Sequence, residues 1–368
     1  MPTQKRILIL TESRGGKGHI MPATAITQAL HKLYPHKHRV TVVNMGDESN
    51  FFLEDFLHTF YLFIFKHAPW LLKIYKISDN RPFMKSINNI YIKLNRKDIV
   101  GLYNKIKPDL VLSNYPAWDY AFYKALKQTN PEVPYVNLNT DSYYPHFAWL
   151  LADADYNIVA DNDTKQLYMQ RGKKGSKIKV LGIPVRQDVA EKGQKASPLK
   201  TPPKPPYNIL FLPSSSNTKA ILATIKPFED NKEFNIEVVM GRNKTATEYI
   251  QSKISAKNVK VTGWTDEIAQ KLDEAHIVIT KPGGSTTQEC IAMKKPMVIN
   301  KVVPGQEQGN ARLILKHRMG FVETKPEKII MACNSIIKSY PQYQRRIAEV
   351  SSGNSAEKIA AFIDSIEA

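Results

Sequence analysis

Residues 12–20 read ESRGGKGHI, three glycines and a histidine between the apolar run RILIL and the patterned stretch MPATAITQAL. Glycines at 15, 16 and 18 let a backbone turn tightly and approach a ligand closely. The stretch that follows predicts a helix: Pro22 is tolerated in a first turn, and Ala23, Ile26, Leu30 and Leu33 form one apolar stripe. Gly18 and His19 then sit at a helix N-terminus, where the positive dipole end disfavours an imidazolium and attracts an anion. A neutral imidazole near pH 7 is what a general base needs. The plain alternative is a strand–helix turn with an incidental histidine.

A second turn has the same grammar. In HIVITKPGGSTTQECIAMKKPMVIN (276–300) a strand ends at Thr280, Lys281–Gly284 turn, and Ser285 opens a helix, with Gln288 completing a capping box. Backbone N–H groups at Gly284, Ser285 and Thr286 would face a phosphate, with Lys281 adding positive charge. Glu289, one turn in, either complements the helix dipole or accepts both hydroxyls of a ribose. The loop VVPGQEQGNA (302–311) carries Gln306, Glu307 and Asn310, polar groups suited to sugar hydroxyls. A base on one glycine turn and an anion nest on another point to a nucleotide-activated sugar.

These turns need strands to hold them. β-rich runs recur at 6–11, 39–44, 109–113, 134–139, 156–160 and 177–182, then at 207–213, 235–240, 258–262, 276–280 and 296–300, with helical patterns between. Several lack polar alternation, as parallel strands covered on both faces do. The expected fold is α/β: two Rossmann-like, doubly wound domains facing across a cleft, with strand-to-helix loops aimed into it. The Pro- and Lys-rich stretch 192–206 reads as a linker between domains 1–191 and 207–335, and 336–368 as terminal helices returning to the first domain.

Composition narrows the class. The 368 residues exceed one ordinary core, and 42% are apolar. Two cysteines give no disulfide framework and no metal-site spacing, which points to a reducing cytosol. No export signal and no spanning apolar run is read. Lys plus Arg number 52 against 34 acids, a balance of +18. Without zinc-finger spacing, an RNP-like string or an arginine-rich arm, nucleic acid is the weakest partner for that charge. Anionic lipid is the strongest, because residues 51–77 read FFLEDFLHTFYLFIFKHAPWLLKIYKI. Phe60, Phe63, Phe65 and Trp70 with Lys66 and Lys73 fit an element lying in a headgroup plane, lysines reaching out to lipid. Two buried helices are the alternative.

KPGGSTTQE followed by VPGQEQGNA resembles the donor-site signature of processive diacylglycerol glucosyltransferases and monogalactosyldiacylglycerol synthases, in glycosyltransferase family 28. GKGHIMPATAI is similar to the corresponding loop of the N-acetylglucosaminyltransferase that makes lipid II. NTDSYYPHFAW (139–149) and VLGIPVR (180–186) match further motifs of the lipid-glycosylating branch. The resemblance runs from about residue 5 to about residue 335. It implies a GT-B fold, a UDP-sugar donor, inversion at the anomeric carbon, a lipid acceptor at the inner membrane face, and neither a cofactor nor an obligatory metal. It makes His19 and Asp141 the catalytic pair, either of them the base, with Asp141 and His146 in an acceptor-side TD…H motif. It places Arg186, Ser215, Ser216 and Asn217 near the diphosphate and Thr265 at uracil. Glu289 falls on the ribose, and Gln306 with Glu307 on the donor sugar. PSSSNTKA departs from the family's glycine-rich loop, which leaves the contacts of Ser215–Asn217 open.

Two Asp-x-Asp strings, 153–155 and 161–163, flank a strand and are read as its caps, not as metal ligands. Two other readings stand beside the transferase: a hexosamine-nucleotide epimerase of the same fold, and a non-catalytic sugar-nucleotide-binding subunit.

Overall fold

In the computed structural model, described residues are 4–13, 17–45, 79–143, 145–213, 217–302 and 307–367. They fall into two compact units: Met1–Gln187 with Pro304–Gly309 and Asn354–Ala368, and Asp188–Val303 with Asn310–Gly353.

The first unit runs β1 (Lys5–Thr11), α1 (Lys17–Leu33), β2 (His38–Asn44), α2 (Arg81–Ile106), β3 (Leu110–Ser113), α3 (Pro116–Thr129), β4 (Tyr135–Leu138), β5 (Tyr156–Val159), α4 (Asn162–Gln170) and β6 (Ile178–Val180). Its sheet is parallel throughout, in the order β2-β1-β3-β4-β5-β6. Ile7 and Ile9 pack with Ile26 and Leu30 of α1, while Leu8 and Leu10 pack on the opposite face with Tyr91 of α2 and Phe122 of α3. Strand side chains alternate between faces, so an uninterrupted apolar run means both faces are covered. The chain reverses its direction of winding at β1, between β2 and β3. Crevices at the carboxyl ends of strands open at such a switch point.

The second unit runs α5 (Gln187–Lys195), β7 (Tyr207–Leu212), α6 (Thr218–Ile225), β8 (Phe234–Val239), α7 (Lys244–Lys253), β9 (Val259–Thr262), α8 (Ile268–Glu274), β10 (Ile277–Thr280), α9 (Gly284–Ala292), β11 (Met297–Ile299), α10 (Glu307–Lys316), β12 (Gly320–Val322), α11 (Pro326–Lys338) and α12 (Tyr340–Val350). The parallel order β12-β11-β10-β7-β8-β9 puts its switch point between β7 and β10. Ile209, Phe211, Ile277 and Ile279 bury one face against α6, α7 and α11. β12 was not expected: three residues on a sheet edge carry too short a pattern to read, and its Gly320 lies so close to the Met297 carbonyl that a β-carbon would collide.

The boundary falls before residue 192. Residues 192–195 belong to α5, where Gly193 abuts the Ala292 carbonyl, Lys192 pairs with Asp273 at 3.2 Å, and Lys294 donates to the Gly193 carbonyl. Leu199 then donates its N–H to Gln344 Oε1 at 2.8 Å. The Pro- and Lys-rich stretch is thus fastened to the second unit. The C-terminal segment divides as well: α12 belongs to the second unit, whereas the last helix, α13 (Ser355–Ser365), lays Ile359 and Ile363 on α1 in the first. His38 and Lys37 hold Asp364 at 2.9 and 2.5 Å.

Candidate functional site

Three strand ends of the first sheet converge on His19. The histidine occupies the third position of α1, just past the switch-point strand β1. Asn114, directly after β3, donates its side-chain N–H to the His19 carbonyl at 2.7 Å. Thr140, beyond β4, brings its hydroxyl to 3.0 Å from His19 Nδ1. Tyr115 meets the imidazole edge-on with centroids 5.1 Å apart, and Trp149 lies at 6.1 Å. Removal from water pushes the His19 pKa down to about 4, against a small upward pull from the Asn114 side. A dipole effect was the expected cause of neutrality; burial is the cause the structure supplies. The residue taken whole, main chain included, is partly exposed.

Asp141 joins the same cluster. Its Oδ2 accepts the Trp149 indole N–H at 2.7 Å, and its own N–H donates to Asn139 Oδ1 at 2.7 Å. Both side chains are buried. His146 starts the short 3-10 turn Phe147–Leu150, accepting the Ala148 N–H on Nδ1 at 3.2 Å. That turn is clamped from outside: Phe147 N–H donates to Asp79 at 2.6 Å, and Arg171 pairs with Asp79 at 3.3 Å while donating to the Pro145 carbonyl. The motif 139–149 is therefore a braced loop, with Thr140 and Asp141 facing His19 and Trp149.

Beneath this loop lies a charge that sequence reading passed over. Asp119 of α3 is fully buried and accepts from Tyr135 Oη at 2.9 Å and Asn137 Nδ2 at 2.7 Å. Burial raises its pKa to about 6. No motif marks it, since one aspartate in PAWDYAFYKAL reads as an ordinary first-turn acid.

In the second unit the KPGG turn follows β10, at that sheet's switch point. Gly283, not Ser285, is the N-cap of α9, and no side chain caps it. The expected Ser285–Gln288 capping box is therefore not the device that starts this helix; Ser285 is its second residue. First-turn N–H groups have no acceptor within a helix, so those of Gly284, Ser285 and Thr286 are offered outward. Ser285 and Glu289, four residues apart, share one helix face, both partly exposed. Thr265 follows β9 and accepts the Glu267 N–H on its hydroxyl at 3.1 Å. Beside it Arg242 stacks on the exposed Trp264 ring at 4.5 Å.

The remaining residues separate. Asn217 caps α6 through a 3.2 Å bond from Ala220 N–H, a structural duty. Gly18 lies in α1, and a β-carbon there would meet nothing within 4 Å, so packing does not demand glycine. Arg186 is partly buried between β6 and α5, and Glu307 opens α10. Ser215, Ser216 and Gln306 lie outside the described residues, as do Phe60, Phe63, Phe65, Lys66, Trp70 and Lys73. Both cysteines are free and buried. The two Asp-x-Asp strings serve the scaffold. Asp155 accepts from Tyr135 N–H at 2.8 Å, Asp161 caps α4 through Thr164 N–H at 2.7 Å, and Asp153 lies 4.0 Å from both Lys173 and Lys177. Among the described residues no group of three or more His, Cys, Asp or Glu side chains is placed to hold a metal ion.

Two parallel α/β units with loops gathered at their switch points define the GT-B class. Solved structures of that class superpose on the chain. The calicheamicin glycosyltransferase gives a TM-score of 0.66 at 14% identity, covering 99% of this chain and 98% of that one. MurG of Acinetobacter baumannii gives 0.64 at 14% identity, covering 98% and 100%. Residues 19–185 match the family model of monogalactosyldiacylglycerol (MGDG) synthase, and residues 216–361 that of the glycosyltransferase family 28 C-terminal domain. The processive diacylglycerol beta-glucosyltransferase of Bacillus subtilis (strain 168) is 27% identical over 372 residues, which is 98% of this chain and 94% of the relative. Residues 19–185 are thus of the MGDG synthase type and residues 216–361 of the glycosyltransferase family 28 C-terminal type, and the chain is a glycosyltransferase.

Proposed function

We propose that this enzyme transfers a hexosyl group from a UDP-sugar to a lipid acceptor, diacylglycerol or a glycolipid, with inversion, at the cytoplasmic face of a membrane. The observation that carries the reading is His19, an imidazole kept neutral at the first sheet's switch point. A lipid hydroxyl attacks the anomeric carbon as its proton passes to His19, a step worth roughly 10²–10⁴-fold. The bond from that carbon to the diphosphate breaks with its electron pair going to UDP. The new negative charge meets the N–H groups opening α9, Lys281 and Arg186. Glu289 accepts the ribose hydroxyls, Thr265 reads uracil through its backbone, and Gln306 and Glu307 contact the sugar. With charge compensated in this way we expect no metal requirement, and full turnover in EDTA.

The lipid acceptor is supported by the relatives, which are named diacylglycerol glucosyltransferases. The membrane surface is supported by α2. Phe83, Ile90 and Leu94, 40–64% exposed, share one face of that helix with Lys97, and Lys93 flanks them. Along α2 six bases stand against one acid, Asp98. An apolar stripe beside lysines suits an anionic headgroup layer. No described helix is long and apolar enough to cross a membrane.

The test offers purified protein a panel of UDP-sugars with a total lipid extract and reads products by mass spectrometry. A glycosylated lipid of inverted anomeric configuration is expected. Epimerised sugar nucleotide without transfer would replace this reading with that of an epimerase.

A further inference from the structure

His19 has two ring nitrogens, and only one can be the base. We propose that Thr140 is the positioning residue that decides which: its hydroxyl oxygen accepts the Nδ1–H of His19, so the lone pair that takes the acceptor's proton is on Nε2. This rests on His19 being the base, as proposed above.

The geometry is specific. The Asn114 side chain ties down the His19 carbonyl at 2.7 Å, fixing the backbone, and Thr140 Oγ1 stands 3.0 Å from Nδ1, fixing the ring. Tyr115 and Trp149 lie against the imidazole and hinder its rotation. A threonine hydroxyl can donate to or accept from a ring nitrogen, and the reaction selects the second: a Thr140 O–H given to Nδ1 would put the one ring proton on Nε2 and leave no free lone pair for a base. With the proton on Nδ1, the acceptor hydroxyl gives its proton to Nε2 as its oxygen bonds to the anomeric carbon. The resulting imidazolium keeps its Nδ1–H on Thr140. A hydroxyl in this place orients the ring without adding charge, whereas a carboxylate would also raise its basicity.

Asp141 thereby acquires a different duty from the one its motif suggested. Its Oδ2 is engaged by the Trp149 indole N–H at 2.7 Å, and it is 6% exposed. It builds the wall that confines the imidazole, acting on His19 through Trp149.

The experiment is long-range ¹⁵N–¹H correlation NMR at pH 7.5 on full-length protein labelled at histidine, with the His19 signals identified from His19→Gln. Wild type is expected to show the Nδ1–H tautomer. Thr140→Val is expected to move the proton toward Nε2 and lower kcat by roughly 10- to 100-fold, with KM for the UDP-sugar unchanged. Thr140→Ser should restore both. An Nε2–H tautomer in wild type would overturn the proposal, as would parental tautomer and kcat in Thr140→Val; the wild-type and serine measurements stand even if the valine variant misfolds. Turnover surviving in His19→Ala would remove the base assignment itself while leaving the tautomer measurement intact, so the two failures are distinguishable.

Discussion

The Trp149 indole N–H is 2.7 Å from Asp141 Oδ2, and the same indole stands 6.1 Å from the His19 ring. Asp141 and His19, the two residues the sequence offered as catalytic groups, are thus joined by an aromatic wall. Conservative changes should separate them. Asp141→Asn keeps an oxygen for the indole and should retain most activity. His19→Ala should abolish transfer while UDP binding, measured by calorimetry, persists.

With His19 as the proposed base, its low pKa is expected to set the acid limb of the rate profile. Its neutral form prevails above about pH 4, so kcat/KM should stay level from pH 8 down to about 5. The stability consequence has a definite sign. Between the unfolded value near 6.5 and about 4, the unfolded chain binds a proton that the folded one refuses. This residue therefore withdraws stability as pH falls through that window. His19→Gln should show a shallower loss of Tm between pH 7 and 5 than the parent.

Asp119 works in the opposite direction. Folding raises its pKa from about 4 to about 6, so the folded state holds a proton that the unfolded state has lost. Its contribution is fully present below about pH 4 and is lost as pH rises to about 6, on the order of 3 kcal/mol in all. Asp119→Asn keeps the acceptor for Tyr135, and Asn137, whose buried Oδ1 lacks a partner, can turn its amide to accept the new N–H. Urea denaturation at pH 5 and 8 should show this variant gaining on the parent at the higher pH.

Asp79 braces the acceptor-side loop. Asp79→Ala would leave Arg171 and the Phe147 N–H without their carboxylate in a largely buried setting, costing about 3 kcal/mol or more. A rise in KM for the lipid acceptor, with KM for the UDP-sugar unchanged, is the kinetic outcome expected at a temperature where the variant stays folded.

On α9, Glu289→Ala should weaken UDP affinity by roughly 10- to 100-fold, the loss of charge-assisted hydrogen bonding worth about 1.5–3 kcal/mol. Parental affinity would remove Glu289 from the ribose. On α2, Ile90→Glu combined with Leu94→Glu should abolish co-sedimentation with anionic vesicles and leave UDP binding intact.

Strands β1 to β11 were legible because each is an apolar run between turn residues, and that pattern is local. The turn at Lys281–Gly284 was legible for the same reason: chain direction changes there whatever the rest of the molecule does. Helix α9 shows the limit of such reading. Ser285 and Gln288 have capping-box spacing, yet the N-cap lies two residues earlier, at Gly283, because the turn from β10 sets the entry. Gly193 is a second case: tertiary contacts, among them the approach of the Ala292 carbonyl, show that α5 belongs to the second unit.

By itself the sequence determined two parallel α/β units, a histidine at one glycine turn and a helix opening at another, since strand, turn and helix propensities act within a few residues. Which groups surround that histidine was decided only by folding. Asn114, Thr140 and Trp149 are 95 or more residues away along the chain, and no local pattern records a meeting of strand ends. The order of strands in the sheet brings them to one place, and burial at that place is what keeps the imidazole uncharged.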